Sequence, residues 1–302
     1  MNMTRPSCDP IGLRMNMTRW RSGFSLIEMV GVLAVMSMLA ALIVPNVIRR
    51  VAEARGTKEE LNLDKLSTGL VEHVKTRQSV PGGASWVSTL AGLTGLSQTE
   101  IQRVDPNDTN SLRVFLIHPS FTPSSGFDPV STNKVNGLVA PTNALVMFIS
   151  STKTTLPIPV ASGKASDTTS NRAAFENIWN WTFNPVTKAA PSGWPAQWTG
   201  QGEHLRVSRI NLAPWLHHVT YSNLQFPTNI PFARINGLST RAFDVTNAED
   251  GWYWEGTVVR LYKHDSPYGG APANPDELDM VHTLVSDLNL IYTGAPSGWA
   301  VP

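Results

Sequence analysis

Residues 24–44 read FSLIEMVGVLAVMSMLAALIV, 21 positions whose one ionisable side chain is Glu28. As a helix this run is roughly 31 Å long at about 1.5 Å per residue, enough to cross the hydrocarbon core of a bilayer. It is apolar on every face, whereas a helix on the surface of a soluble domain shows one apolar stripe. Arg19 and Arg21 precede it, and Arg49 and Arg50 follow. The fold must therefore place this segment in a membrane or among other apolar helices.

Beyond residue 47 the pattern turns amphipathic. Leu63, Leu66, Leu70 and Val74 recur at helical spacing among Lys58, Glu59, Glu60, Asp64, Lys65, Glu72 and Lys75. The reading is one helix that continues from the membrane segment through 45–80. It should loosen at Pro45, which removes a donor and clashes with the preceding turn, and at Gly56. Pro81-Gly82-Gly83 is the stop signal. A second helix is expected over 86–104. Strand signals follow at 112–118, 144–149, 205–210, 241–245, 257–262 and 288–292. Stretches rich in Ser, Thr, Pro, Gly and Asn at 119–141, 156–171 and 265–275 read as loops. Helices first and strands later predict an α+β fold, with the long N-terminal helix packed on an antiparallel sheet domain over 81–302.

The length of 302 residues suits one globular domain plus an anchor. The formal charge of +1 hides an asymmetry. Arg5, Arg14, Arg19 and Arg21 against Asp9 give the first 23 residues a net +3, which leaves about −2 for the remainder. The bulk of the chain thus lacks the basic excess of a nucleic-acid binder, and no nucleic-acid partner is expected. Cys8 is the single cysteine, so no intramolecular disulfide can form. Stability has to come from apolar burial and strand pairing, and the nine tryptophans after Phe24 supply large pieces to bury.

At the head of the apolar run stands Arg21-Ser22-Gly23-Phe24-Ser25-Leu26-Ile27-Glu28. A carboxylate near one end of a transmembrane stretch is costly, on the order of 2.5–3.5 kcal/mol at a helix centre and less near an interface, so it needs a purpose or a partner. Cleavage after Gly23 would create an α-amine on Phe24, four residues from Glu28. A glycine at the scissile position leaves the backbone open to a protease. These residues resemble the processing site of type IV prepilins and type II secretion pseudopilins, over roughly 19–51.

That resemblance implies a basic leader, 1–23, removed by a prepilin peptidase between Gly23 and Phe24, and N-methylation of Phe24. It implies that Glu28 sets assembly register by meeting the Phe24 amine of a neighbouring subunit, and that Pro45 is a helix-loosening proline. It further implies itself and other pilin-like subunits as partners, an assembly platform in the inner membrane, and a C-terminal domain outside the cytoplasm. Positive charges flank both ends of the run, so charge alone does not set the orientation. The motif MNMTR at 1–5 recurs at 15–19, so Met15 and Met17 stand beside Met1 as possible starts.

Two plainer readings of the same segment compete. An ordinary secretory signal would use a small-x-small site such as Ala52-Glu53-Ala54, but that site lies behind Arg49 and Arg50. A plain signal anchor would need neither Glu28 nor the Gly-Phe junction.

Little else in the chain carries chemistry. His217 and His218 point in different directions on any regular element, with no accompanying Cys or His-x-His spacing. No nucleophile elbow, phosphate-binding glycine loop or zincin helix is present, and catalysis is not expected. Asp244, Asn247, Glu249 and Asp250 offer oxygen ligands at spacing compatible with calcium, in a run that also reads as a solvated turn and does not match an EF-hand. The pairs Trp179/Trp181, Trp194/Trp198 and Trp252/Trp254 either stack on sugars, as in an adhesin, or fill the core from one face of a strand. The expected function is a filament subunit. A minor subunit or adhesin, and a membrane-tethered domain unrelated to filaments, are the alternatives.

Overall fold

The computed structural model describes residues 25–103, 112–121, 141–153, 155–157, 163–223, 232–235, 239–242, 251–262, 278–293 and 298–302. The chain divides into two compact units, Met1–Glu53 and Ala54–Pro302. Helix α1 spans Leu26–Arg77, 52 residues, and runs through Pro45 and Gly56 without a break. The expected loosening at Gly56 has another explanation. A Cβ there would lie 2.8 Å from Nη2 of Arg206, so the position is small to let a guanidinium pass. The helix ends where Gln78 takes a left-handed conformation (φ 53°) and its N–H bonds the carbonyl of Val74.

Within the second unit, the expected helix over 86–104 is two helices, α2 (Trp86–Thr94) and α3 (Gln98–Gln102). Gly95, left-handed at φ 69°, ends the first. Ser97 and Glu100 form a capping box that starts the second. Gly69 of α1 lets α2 come close: a Cβ there would sit 2.7 Å from the Thr94 methyl.

Strands β1 (Arg113–Ile117), β2 (Leu145–Ser151), β3 (Gly163–Lys164) and β4 (Leu205–Asn211) build the first sheet, in order β3-β1-β2-β4. Its two central strands are buried at every position but Leu145, which their near-continuous apolar sequence requires. Phe115, Ile117, Val146 and Phe148 face Leu63, Leu66, Leu70 and Val74 of α1 together with Trp86 and Leu90 of α2. Val114, Leu116, Met147 and Ile149 face Phe175 and Ile178 of helix α4 (Thr169–Trp179). The sheet is thus covered on both sides. Gly163, at φ 115°, lies so near the stop signal that a Cβ would meet the Gly83 Cα at 2.6 Å.

Two further sheets follow. One contains β5 (Leu216–Asn223), β8 (Gly251–Trp254), β11 (Leu288–Tyr292) and β12 (Trp299–Ala300), in order β12-β11-β5-β8. The other contains β6 (Phe232–Ile235), β7 (Ser239–Ala242), β9 (Val258–Tyr262) and β10 (Leu278–Thr283), in order β10-β9-β6-β7. Val219, Tyr221, Leu290 and Tyr292 of the former join Val259 and Leu261 of the latter in one apolar cluster. The class is α+β, as expected, but among the described residues the single antiparallel sheet is replaced by three. Of these, β10-β9-β6-β7 alone is wholly antiparallel, because β1 pairs with β3, and β5 with β11, in parallel.

Candidate functional site

The first candidate is the apolar first half of α1. Its most apolar 18-residue window has a mean hydropathy of 2.4, and none of that window is buried. By length and composition it is long and apolar enough to span a membrane. Its few polar side chains bond within the helix: Ser37 Oγ donates to the Ala34 carbonyl at 2.8 Å and Asn46 Nδ2 to that of Leu42 at 3.2 Å. Such internal pairing is what a lipid environment demands of a polar group. Arg49 and Glu53 pair at 2.9 Å where the apolar run gives out.

Glu28 has a partner that the sequence reading overlooked. Ser25 N–H donates to Glu28 Oε2 at 2.9 Å, and Glu28 N–H donates to Ser25 Oγ at 3.3 Å. This is a capping box that closes the first turn of α1, and its signal, Ser-x-x-Glu ahead of an apolar run, was present in the sequence. Gly23 and Phe24 lie outside the described residues, as do Asp244, Asn247, Glu249 and Asp250. Among the described residues no group of three metal-ligating side chains comes together. His217 and His218 occupy successive positions of β5 opposite Tyr253 and Trp252, and His218 stacks on the Trp252 ring at 5.0 Å.

The second candidate lies on the far side of the first sheet. A cleft of about 380 Å³ opens between α4, the β1–β3 edge and the turn at 191–194, with Leu116, Ile117, Phe175, Ile178 and Trp194 in its walls. Among the described residues, none that lines it carries an ionisable side chain. Helix α4 stands there because Thr168 caps its start through the Asn171 N–H, and because Arg209 of β4 closes its end. Arg209 Nε donates to the Trp179 carbonyl at 2.6 Å, and its Nη2 donates to those of Ile178 and Trp181. Burial pushes the Arg209 guanidinium below its ordinary pKa without neutralising it.

Beside the cleft, His118 is buried edge-on against Phe175 at 5.0 Å. Its Nδ1 accepts the Ser120 N–H at 3.2 Å, which places the ring proton on Nε2, 3.9 Å from Glu176 Oε1. Burial holds this imidazole below its ordinary pKa against the opposing pull of Glu176 and Asp167. Ser120 Oγ donates to Asp167 rather than to His118, so no nucleophile–base pair forms here.

The tryptophan pairs divide. Trp252 and Trp254 sit on β8 in the core, as one-face strand residues should. Trp179 ends α4, where it stacks on Phe175 at 5.9 Å, and Trp194 meets Trp198 edge-on at 4.8 Å around a short 3-10 turn. Those two pairs are therefore not strand residues.

A buried ion triad fixes the start of the domain. Glu59 of α1 accepts from Arg113 Nε at 2.9 Å and from Arg103 Nη1 at 2.6 Å. Arg113 also donates to the carbonyls of Glu100 and Ile101 at the end of α3. Burial alone would raise the Glu59 carboxyl, but Arg113, hydrogen bonds from Ser150 and Arg113, and Arg103 together hold it below its ordinary value. No family model, curated protein or solved structure matches the chain.

Proposed function

We propose that the chain is a structural subunit of a filament of the type IV pilus or type II secretion kind. In this reading it is processed between Gly23 and Phe24, N-methylated at Phe24 and assembled through α1. The observation that supports it is a helix uncovered on every face over its first half, with Glu28 as the lone ionisable group of 24–44 and a Gly-Phe junction just ahead. Each large apolar side chain moved out of water is worth about 1.5–3 kcal/mol, so a dozen of them cannot stay in water. A bilayer satisfies them before assembly, and the packed helices of neighbouring subunits satisfy them afterwards.

Subunits of one kind add head-to-tail, because an open helical contact does not close on itself. A carboxylate accepts at both oxygens, so the Ser25 bond leaves Glu28 able to meet the Phe24 amine of the next subunit. The partners are other pilin-like subunits, a prepilin peptidase and an inner-membrane assembly platform. The globular unit lies outside the cytoplasm, and its role is structural rather than catalytic. Mass spectrometry of the mature N-terminus tests the reading: N-methylated Phe24 is expected, with Gly23→Val leaving the precursor intact. A mature chain starting at Arg55, just after Ala52-Glu53-Ala54, would place the protein among ordinary secreted chains instead.

A further inference from the structure

The turn after α4 is built to hold an apolar tip in the open. Val186 is 89% exposed, and Phe183 beside it is 44% exposed. A valine at the apex of a turn is usually unremarked, but this turn is fastened at both ends. Asn184 Oδ1 accepts the N–H groups of Val186 at 2.9 Å and Thr187 at 3.2 Å, and the Asn184 carbonyl accepts that of Lys188 at 2.8 Å. Lys188 takes a left-handed conformation (φ 49°) to close the turn, a cost that a loose loop would not carry. Its Nζ pairs with Glu203 at 2.7 Å, and Trp181 Nε1 bonds the Ala189 carbonyl at 3.0 Å. The tip is therefore presented in one shape, which lowers the entropy lost on docking.

The residues of the tip, Phe183-Asn184-Pro185-Val186-Thr187, carry no charge. Among the described residues, neither does any that lines the cleft under α4. A charged partner would leave its charge desolvated and unpaired in that cleft, whereas a neutral apolar tip would not. The cleft offers Phe175, Ile178 and Trp194 around small residues, Ala173 and Ala174 among them, that give a side chain room to enter.

We infer that the cleft receives the Phe183–Val186 tip of a second copy of this chain. The two surfaces differ, so the contact is heterologous, and repetition of it extends a row of subunits. This inference rests on the filament reading and names a contact between the globular units of neighbouring subunits.

Cysteine crosslinking of the full-length chain in a Cys8→Ser background tests it. Chains carrying Val186→Cys and chains carrying Ala174→Cys, with different tags, are co-expressed, and membranes and sheared fibres are oxidised. Both substituted positions are exposed, so folding is not at stake. A disulfide-linked heterodimer should appear only when both chains are present, and a chain carrying both substitutions should give a ladder of multimers. Dimers of equal yield from either single variant would overturn the contact, and so would the absence of any crosslink in intact fibres. A closed dimer as the largest product would overturn its head-to-tail form. An intrachain disulfide between Ala174→Cys and Val160→Cys would show the chain's own 158–162 segment in the cleft and overturn it as well. Fibres without crosslinks would sink this contact alone, whereas crosslinks in membranes that never yield fibres would sink the filament reading alone.

Discussion

Replacing Glu59 by Gln should destabilise the second unit by about 3 kcal/mol. Glu59 is 4% exposed and Arg113 is fully buried, so the substitution leaves a guanidinium in the interior without its paired carboxylate. Removing one member of a buried ion pair typically costs about 3–5 kcal/mol, and the remaining amide oxygen of Gln favours the lower end. With a urea m-value near 3 kcal/mol/M, at the upper end for a unit this large, the midpoint should fall by about 1 M. Tryptophan fluorescence reports it, since Trp86 and Trp198 are buried in the two clusters that flank the first sheet.

A double change, Glu59→Leu with Arg113→Met, should recover much of the loss, because two apolar groups of similar volume replace the pair. Recovery stays incomplete, since Arg113 also satisfies the Glu100 and Ile101 carbonyls. The pH profile gives an independent check. The Glu59 carboxyl is held below its ordinary value, so its contribution is present above the unfolded pKa, about 4.5, and is lost as pH falls through the folded pKa. Glu59→Gln should flatten that part of the acid limb. A midpoint shift under about 0.3 M would mean the triad is worth no more than an exposed pair, and the argument for it would fail.

Other outcomes follow from the same geometry. Glu28→Leu should be cleaved and should accumulate in membranes yet contribute little to sheared fibres, and normal incorporation on immunoblots would leave Glu28 as a helix cap only. A fragment starting at Ala54 should fold alone and ignore reducing agent, because the second unit holds its own cores and no cysteine; aggregation of that fragment would put the boundary elsewhere. His118, held below the ordinary histidine value, supplies stability that is intact above the unfolded pKa of about 6.5 and declines as pH drops below it. In His118→Gln that decline should disappear from denaturation midpoints measured between pH 7 and 5, and an unchanged slope would refute the assignment. Arg209→Ala should raise hydrogen exchange in the last turn of α4 before any global loss of structure, and uniform exchange across the unit would contradict its role as a local fastener.

The periodic segments were the legible ones. Leu63, Leu66, Leu70 and Val74 announced the buried stripe of α1 from spacing alone, and the apolar runs at 144–149 and 288–292 marked β2 within two residues and β11 at both ends. Helix α4 was missed because its start lies in a Ser/Thr/Asn-rich stretch, and only Phe175 and Ile178 of its eleven residues are buried. Its stability comes from Arg209, 30 residues beyond Trp179, and no local pattern records that bond. The parallel pairing of β5 with β11 joins residues 69 apart, which strand-by-strand reading cannot reach. The Ser25–Glu28 cap was legible but was overshadowed by a longer-range meaning for Glu28. The cleft could not be read at all, because its walls come from four separate stretches of chain.

Three arginines of the first sheet set where conservative change fails. Arg113 reaches Glu59 and two carbonyls of α3, and Arg209 reaches three carbonyls at the end of α4. Arg206 meets Glu60 at 2.8 Å and the carbonyls of Glu203 and Leu205 while lying against Gly56. Each relies on a rigid plane of donors aimed in several directions, which an ammonium on a flexible stem cannot reproduce. Lysine at 113, 206 or 209 would preserve every count of charge and still lose the forked set of bonds made from that position. Natural variants of this chain should therefore exchange Lys and Arg freely elsewhere on the surface and keep Arg at these three strand positions.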